Sequence, residues 1–292
     1  MDKPLVSIGV PTYNRPKTLE RTLASLLAQS YKDIEVVVSD NGSTDTGVEA
    51  VLSKFSNDSR VVIYRHNRNQ GAIFNFNFIL DKFHGEYVMR IGDDDWLDEN
   101  YIEACVSFLM ANPAYVCAYG STKIFDAEGQ LIKIDTDLSL DQASAEERMR
   151  TYYEYVTQNG IYFGLLKKDC ISYIKADRLL ADDWLGVARL CFKGKIKMLK
   201  NTHLNITAGG TGRSVDSMVD GLGISDFNRY FPYLSVCMNV YRDILFRSNL
   251  FKKLRLDHRV RLANTCVKTL YRRFNVKGEI KRNYLVYLKS FA

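Results

Sequence analysis

Tyr87-Val88-Met89-Arg90-Ile91-Gly92-Asp93-Asp94-Asp95-Trp96 runs from a short apolar strand into three consecutive carboxylates. Like charges held this close raise one another's pKa values unless a cation lies among them. A hard divalent ion does this well, because Mg2+ and Mn2+ favour carboxylate oxygen and bridge to phosphates. An acidic first turn of the following helix would also use such residues. Asp98-Glu99-Asn100 can supply that cap unaided. The flanking sequence decides between the two readings.

Upstream, strand-like runs at residues 5–10, 34–39, 61–64 and 86–91 alternate with helical spacing at 16–29, 47–55 and 73–83. In the first helix Leu19, Leu23, Leu26 and Leu27 fall on one face. Strands separated by helices of this length imply right-handed βαβ units and a mostly parallel sheet. Ligands of such sheets sit outside the carboxyl ends of the strands. That places Pro11-Thr12-Tyr13-Asn14, Asp40-Asn41-Gly42-Ser43 and Asp93-Asp94-Asp95 along one polar rim. Downstream the pattern predicts a helix at 99–110, a strand at 115–119 and a hairpin pairing 123–125 with 130–134. A mobile polar segment from 135 to 150 then runs into a helix ending at 155. A buried strand at 161–166, a helix at 182–191 and a strand at 196–199 follow. A glycine-rich loop at 208–223 marks a boundary, and residues from 226 onward read as helical.

The motifs resemble, in order and spacing, family 2 glycosyltransferases of the GT-A fold. Val6-Ser7-Ile8-Gly9-Val10-Pro11-Thr12-Tyr13-Asn14-Arg15 looks like the family's opening, and Ile34 to Asp45 like its second strand and turn. Asn69-Gln70-Gly71 with Asn75 and Asn77 is similar to its Asn-x-Gly segment. Gly85-Glu86-Tyr87-Val88 followed by Gly92-Asp93-Asp94-Asp95 resembles its Gly-Glu-Tyr strand and Asp-x-Asp metal motif. Asp182-Asp183-Trp184 with Arg189 looks like the Glu-Asp…Arg segment that carries the base. The resemblance covers roughly the first two-thirds of the chain.

It implies a GT-A α/β fold: a mostly parallel central sheet flanked by helices, with a Rossmann-like nucleotide-binding half and a C-terminal helical extension. Residues 1–220 would form the catalytic domain, with 1–98 binding the nucleotide-sugar and 99–220 the acceptor. Residues 221–292 would be a basic helical region. The implied donor contacts are Pro11, Thr12, Tyr13, Asn14, Arg15, Asp40, Asn41, Gly71, Asn77, Asp93 and Asp94, with Asp40 accepting from a pyrimidine N–H. Asp94 and Asp95 would hold Mn2+ or Mg2+ against the diphosphate. Gly92 stands where many members carry the first Asp of Asp-Ala-Asp-Asp, so the division of labour among Asp93, Asp94 and Asp95 stays open. Asp183 is the implied general base of an inverting reaction, with Asp182 where Glu is usual. Weaker candidates are His203 for metal or phosphate, Arg213 in the glycine-rich loop for the diphosphate, and Trp96 and Trp184 as stacking walls.

The remaining features bound the partners. The 292 residues are 46% hydrophobic and 25% charged, as in ordinary globular chains. Six scattered cysteines without a Cys-x-x-Cys pair point to reduced, buried thiols. Neither a signal-peptide pattern nor a transmembrane span is expected, so the expected location is cytoplasmic, with peripheral attachment to the cytoplasmic membrane face. The net charge of +6 conceals a split. Residues 242–292 carry 14 Lys and Arg against 3 acids, or +11, and the remainder is −5. Such a tail suits an anionic partner, and a lipid surface fits a lipid-linked acceptor best.

The expected partners are therefore a UDP- or dTDP-sugar, a saccharide or lipid-linked acceptor, and an anionic membrane, with no nucleic acid. The expected role is surface polysaccharide synthesis. A sugar-nucleotide nucleotidyltransferase would want a Gly-rich basic loop after the first strand, which Pro11 to Arg15 is not. A nucleic-acid-binding protein using the tail leaves the acidic motifs unexplained. A catalytically dead family member would not need them intact.

Overall fold

β1 (Val6–Thr12) and β2 (Ile34–Asp40) are rich in β-branched residues and buried along almost their whole length. That suits parallel strands covered on both faces. They pair from Val6–Ile34 to Thr12–Asp40. β3 (Val61–Arg65) continues the parallel sheet beside β2, and β4 (Tyr87–Arg90) continues it beside β1. The crossovers are α1 (Pro16–Leu27), α2 (Thr46–Phe55) and α3 (Ala72–Leu80). All four strands point one way, so their carboxyl ends share one edge. The computed structural model describes residues 3–135, 138–157, 159–208 and 214–289.

Beyond β4 the pairing becomes mixed. β5 (Trp96–Leu97) and α4 (Tyr101–Ala111) lead into β6 (Tyr115–Phe125) and its antiparallel partner β7 (Leu131–Ile134). Then come α5 (Ala145–Tyr155), a 3-10 turn (Gly160–Phe163), β8 (Leu165–Lys167), a second 3-10 turn (Lys168–Ile174), α6 (Asp182–Lys193) and β9 (Lys195–Thr207). The sheet order is β3-β2-β1-β4-β8-β6-β9-β5, with β7 attached to β6. β8 is antiparallel to both β4 and β6, whereas β6 and β9 run parallel.

Four local expectations differ from the structure, the first being the strand at 196–199, which runs on as β9 as far as Thr207. Residues 123–125 are not a separate strand but the end of β6, carried through a bulge between Gly120 and Ser121. Residues 161–166 split into a 3-10 turn and a three-residue strand at Gly164, where an added Cβ would lie 2.7 Å from Cys117 Sγ. The stretch 208–223 contains a helix, α7 (Val215–Leu222), started by a Ser214–Ser217 capping box and stopped by Gly223 at φ +60.

The C-terminal helices are α8 (Phe227–Tyr230), α9 (Pro232–Arg242), α10 (Asn249–Lys252), α11 (Leu256–Arg273) and α12 (Val276–Lys289), with a π turn at Asp243–Arg247. One face of the sheet packs against α1, α2 and α4. The other shares a core with α3, α5, α6 and the inner faces of α9 and α11, through Val236, Val240, Leu262, Cys266 and Leu270. Each fully buried Leu or Val contributes about 1.5–3 kcal/mol, so α9 and α11 are integral to this half. All six cysteines are buried free thiols. No helix among the described residues is long and apolar enough to cross a membrane.

Candidate active site

The ends of the parallel strands build one cluster. Thr12, the last residue of β1, donates from Oγ1 to Asp93 Oδ2 at 2.7 Å. Arg15 places Nη1 3.2 Å from Asp93 Oδ1 and 2.8 Å from Asp94 Oδ2. One turn into α1, Arg21 donates to the Asp94 carbonyl and to Thr207 Oγ1, and Thr22 Oγ1 donates to the Asp95 carbonyl at 2.6 Å. The Arg21 guanidinium also stacks 3.8 Å over Trp96, which itself packs on Phe125. The acidic turn is thus gripped from β1 and α1.

Electrostatically Asp93 and Asp95 are under-compensated. Burial pushes the Asp93 carboxyl up, opposed by Thr12 and Arg15. Asp95 is pushed well above the usual carboxylate range by burial and then by Asp94 and Asp93; Arg21 and Arg15 only partly oppose this. A Cβ on Gly92 would sit 2.9 Å from both Asp94 Oδ1 and Asp95 Oδ2. The glycine therefore leaves room for two carboxylates to converge. Among the described residues no cluster of three or more His, Cys, Asp or Glu could hold a metal ion. Two converging carboxylates nevertheless fit Mg2+ or Mn2+, which commonly takes its other ligands from water and substrate phosphates.

Beside this cluster, the β1–α1 and β2–α2 loops are tied together. Asn14, at φ +54, accepts on Oδ1 from the backbone of Thr44 and Asp45 and takes Ser43 Oγ on its own N–H. Asp40 Oδ1 accepts from Ser43 N at 2.9 Å, three residues on, and so holds the turn after β2 closed. Asn41 donates to Asn69 Oδ1 and the Gly71 carbonyl and accepts from Gln70 N, so it braces the loop before α3. Gly71 itself has φ +90. Pro11 lies within buried β1, and Tyr13 is exposed. The Asn77 side chain is engaged at the Ala176 backbone, donating to its carbonyl and accepting from its N–H.

A second cluster forms at the start of α6. Asp183 Oδ2 accepts from Asn159 Nδ2 at 2.7 Å, and Asn159 Oδ1 in turn accepts from Tyr152 Oη at 3.1 Å. Burial raises the Asp183 pKa; the Asn159 hydrogen bond, nearby backbone N–H groups and the Arg90 charge oppose the rise. Asp182 Oδ2 accepts from Asp177 N, its other oxygen has no partner among the described residues, and burial pushes its pKa up to about 6. Arg189 does not face Asp183 with a free charge. It makes a two-pronged pair with Asp243, at 3.0 and 2.6 Å, and thereby ties α6 to the π turn. Ala181 precedes the helix at φ +56, which sets the angle at which the two carboxylates enter it.

Among the weaker candidates, Trp184 packs on Phe274 after α11. His203 Nδ1 is 2.6 Å from Asp98 Oδ2, and Asp98 also accepts from Asn205, so this trio braces β5 against β9. Arg213 lies outside the described residues. Sequence reasoning missed Asn159, which has no motif around it. It also missed Arg21 and Thr22, whose signal was position: one turn beyond Pro16 on the helix that follows the first rim loop.

Residues 7–170 match the family model described as Glycosyl transferase family 2. An uncharacterized glycosyltransferase of Haemophilus influenzae is 28% identical over 87% of this chain and 99% of its own length. A Campylobacter jejuni GalNAc(5)-diNAcBac-PP-undecaprenol beta-1,3-glucosyltransferase is 32% identical over 58% of this chain, but the match spans only 53% of that protein. Among solved structures, S. aureus TarS 1-349 in complex with UDP-GlcNAc gives a TM-score of 0.66 at 18% identity, over 91% of this chain and 72% of that one. A Pyrobaculum calidifontis mannosyltransferase in complex with GDP-Man and Mn2+ gives 0.56 at 14%, over 96% and 75%. The curled α/β sheet with its helical C-terminal part is of the GT-A type.

Proposed function

The chain belongs to glycosyltransferase family 2, and from that membership we propose that it is a metal-dependent, inverting enzyme acting on a nucleotide-diphosphate sugar. The acceptor is a hydroxyl of a saccharide or lipid-linked saccharide, in surface polysaccharide synthesis. The observation that carries this reading is the separation of two carboxylate sites with opposite needs. Asp93, Asp94 and Asp95 crowd at the strand ends with too few cations, while Asp183 stands apart, buried and oriented by Asn159.

In this reading the rim from Pro11 to Arg15, with Asp40, Asn41 and Gly71, receives the nucleotide. Asp94 and Asp95 would hold Mn2+ or Mg2+, which when bound would neutralise charge on the departing diphosphate. Asp93 is committed to Thr12 and Arg15 and shapes the turn. Asp183 takes the proton of the acceptor hydroxyl as that oxygen attacks the anomeric carbon from the face opposite the nucleotide. The bond from the anomeric carbon to the diphosphate oxygen breaks, and the configuration inverts. Pyrimidine donors, a UDP- or dTDP-sugar, suit the buried Asp40 as acceptor of a ring N–H.

The test is a panel of UDP-, dTDP- and GDP-sugars scored for thermal stabilisation with and without Mn2+. Metal-dependent stabilisation by one of them is expected; no response to any of them overturns the reading.

The tail extends it. α12 ends with exposed Tyr284, Leu285, Val286 and Leu288 beside Lys281, Arg282 and Lys289, and α11 exposes Arg261, Lys268, Tyr271 and Arg272. Apolar side chains among cations suit an anionic bilayer on the cytoplasmic face, where each Lys or Arg contributes about 1 kcal/mol. Flotation with vesicles of mixed neutral and anionic lipid should recover the protein. Equal recovery with neutral vesicles removes the electrostatic part.

A further inference from the structure

Arg90 is the last residue of β4 and is 0% exposed. None of its three guanidinium nitrogens makes a hydrogen bond of good geometry among the described residues, and the Tyr162 side chain is the first of the groups that stabilise its charge. A charge buried in this way is costly unless something nearby compensates it. Two aromatic faces do part of that. The guanidinium lies 3.8 Å over the Tyr162 ring and 5.5 Å from that of Phe76 in α3. The rest comes from the start of α6: the Tyr162 ring that the guanidinium covers lies against this helix at Gly186, where an added Cβ would be 3.6 Å from Cε2, and Asp182 and Asp183 on its first turn stabilise the charge.

The groups facing Asp183 can be named element by element. From α5 comes Tyr152, a buried neutral phenol that reaches it through Asn159. The 3-10 turn brings Tyr162, whose phenol burial likewise keeps protonated. Within α6 itself stand Asp182 and, nearly two turns later, Arg189, which Asp243 neutralises. Asp177 precedes the helix and faces Asp182. β4 contributes Arg90, whose charge no carboxylate pairs by contact. Guanidinium remains protonated under all ordinary conditions. Its field is strong here because water is excluded from it.

We propose that Arg90 is a positioning residue for the base: its buried charge, one aromatic ring away from the start of α6, steadies the negative charge that Asp183 must carry to accept the acceptor's proton. The strand that delivers the acidic triplet to the donor would thereby also set the readiness of the acceptor-side base. The coupling runs through the field and not through a hydrogen bond, so a lysine at the same place should largely replace the arginine. The functional meaning rests on Asp183 being the base. The coupling itself is measurable without turnover.

The test is a 13C-carboxyl titration of the full chain labelled at aspartate, with the Asp183 signal assigned by its loss in Asp183→Asn. In Arg90→Met the Asp183 midpoint should rise by about one pH unit or more, and in Arg90→Lys it should stay within about half a unit of the parent. Donor hydrolysis by Arg90→Met should fall about tenfold on the acid side and recover on the alkaline side, as a one-unit displacement requires. If the lone Met variant does not fold, Arg90→Met with Asp182→Asn removes one charge of each sign and is compared with Asp182→Asn alone. An unmoved midpoint, or equal movement by Met and Lys, overturns the proposal and leaves Arg90 as packing between two rings. Full turnover by Asp183→Asn overturns the base assignment instead, whatever the titration shows.

Discussion

The two carboxylate sites are built in opposite ways. The donor-side cluster joins residues at the ends of two neighbouring parallel strands, β1 and β4, and on the first two turns of α1: Thr12, Arg15, Arg21, Thr22 and Asp93 to Asp95. The base-side cluster gathers Arg90, Tyr152, Asn159, Tyr162 and Asp183, drawn from a strand, a helix, two irregular segments and another helix. The first needs only a parallel sheet to assemble. The second needs β8 to pair antiparallel with β4 and the C-terminal helices to close the far core. A rim that any parallel sheet of this kind would present is therefore combined with an individually built second cluster.

Substitutions can break that contrast, the strongest at the base. Asp183→Asn should lower turnover by about a thousandfold, within the range for removing a general base. Nucleotide affinity measured by calorimetry should stay within about twofold of the parent. Comparable losses of both would merge the two sites into one. Asp94→Ala should do the reverse, weakening Mn2+-dependent nucleotide binding by about a hundredfold, or ~2.7 kcal/mol, with little change in metal-free binding.

The next effect tests how Asn159 serves the base. Its hydrogen bond favours the ionised carboxylate. Asn159→Ala should therefore move the acid limb of the pH–rate profile to higher pH and cost about tenfold in turnover near that limb. The donor KM should hold. Since burial already raises the Asp183 pKa, the parent's activity should be present above that pKa and lost as pH falls through it.

The smallest effect concerns stability. Asp95 has a folded-state pKa above its unfolded value, so its ionisation penalises the fold. The penalty is absent below the unfolded pKa and complete above the folded one. Asp95→Asn should therefore raise the metal-free Tm at neutral pH by about 2–6 °C and abolish any further rise on adding Mn2+. A fall in Tm would mean that the charge is already compensated within the chain.

How much of this was legible beforehand follows the same divide. The strands at 5–10, 34–39 and 61–64 lie within β1, β2 and β3 or one residue beyond, because apolar β-branched runs between helical periods have few other solutions. The 161–166 stretch misled because apolar residues without a period do not distinguish a strand from tight turns. Glycines in the 208–223 segment masked a helix whose serine cap was visible. Arg90 was a readable anomaly, a charge ending an apolar strand, yet nothing local says which carboxylate it faces.

By itself the sequence determined the parallel half of the sheet, the acidic turn at its edge and the charge split between body and tail, since these depend on periodicity, spacing and composition along the chain. Only the tertiary structure decided that Arg189 belongs to Asp243, Asn77 to the Ala176 backbone and His203 to Asp98, and that Asn159 holds Asp183. Except for Asn159 and Asp183, these partners lie more than 50 positions apart in the chain. Hydrogen-bond geometry over such separations is set by packing between elements, which no local pattern encodes.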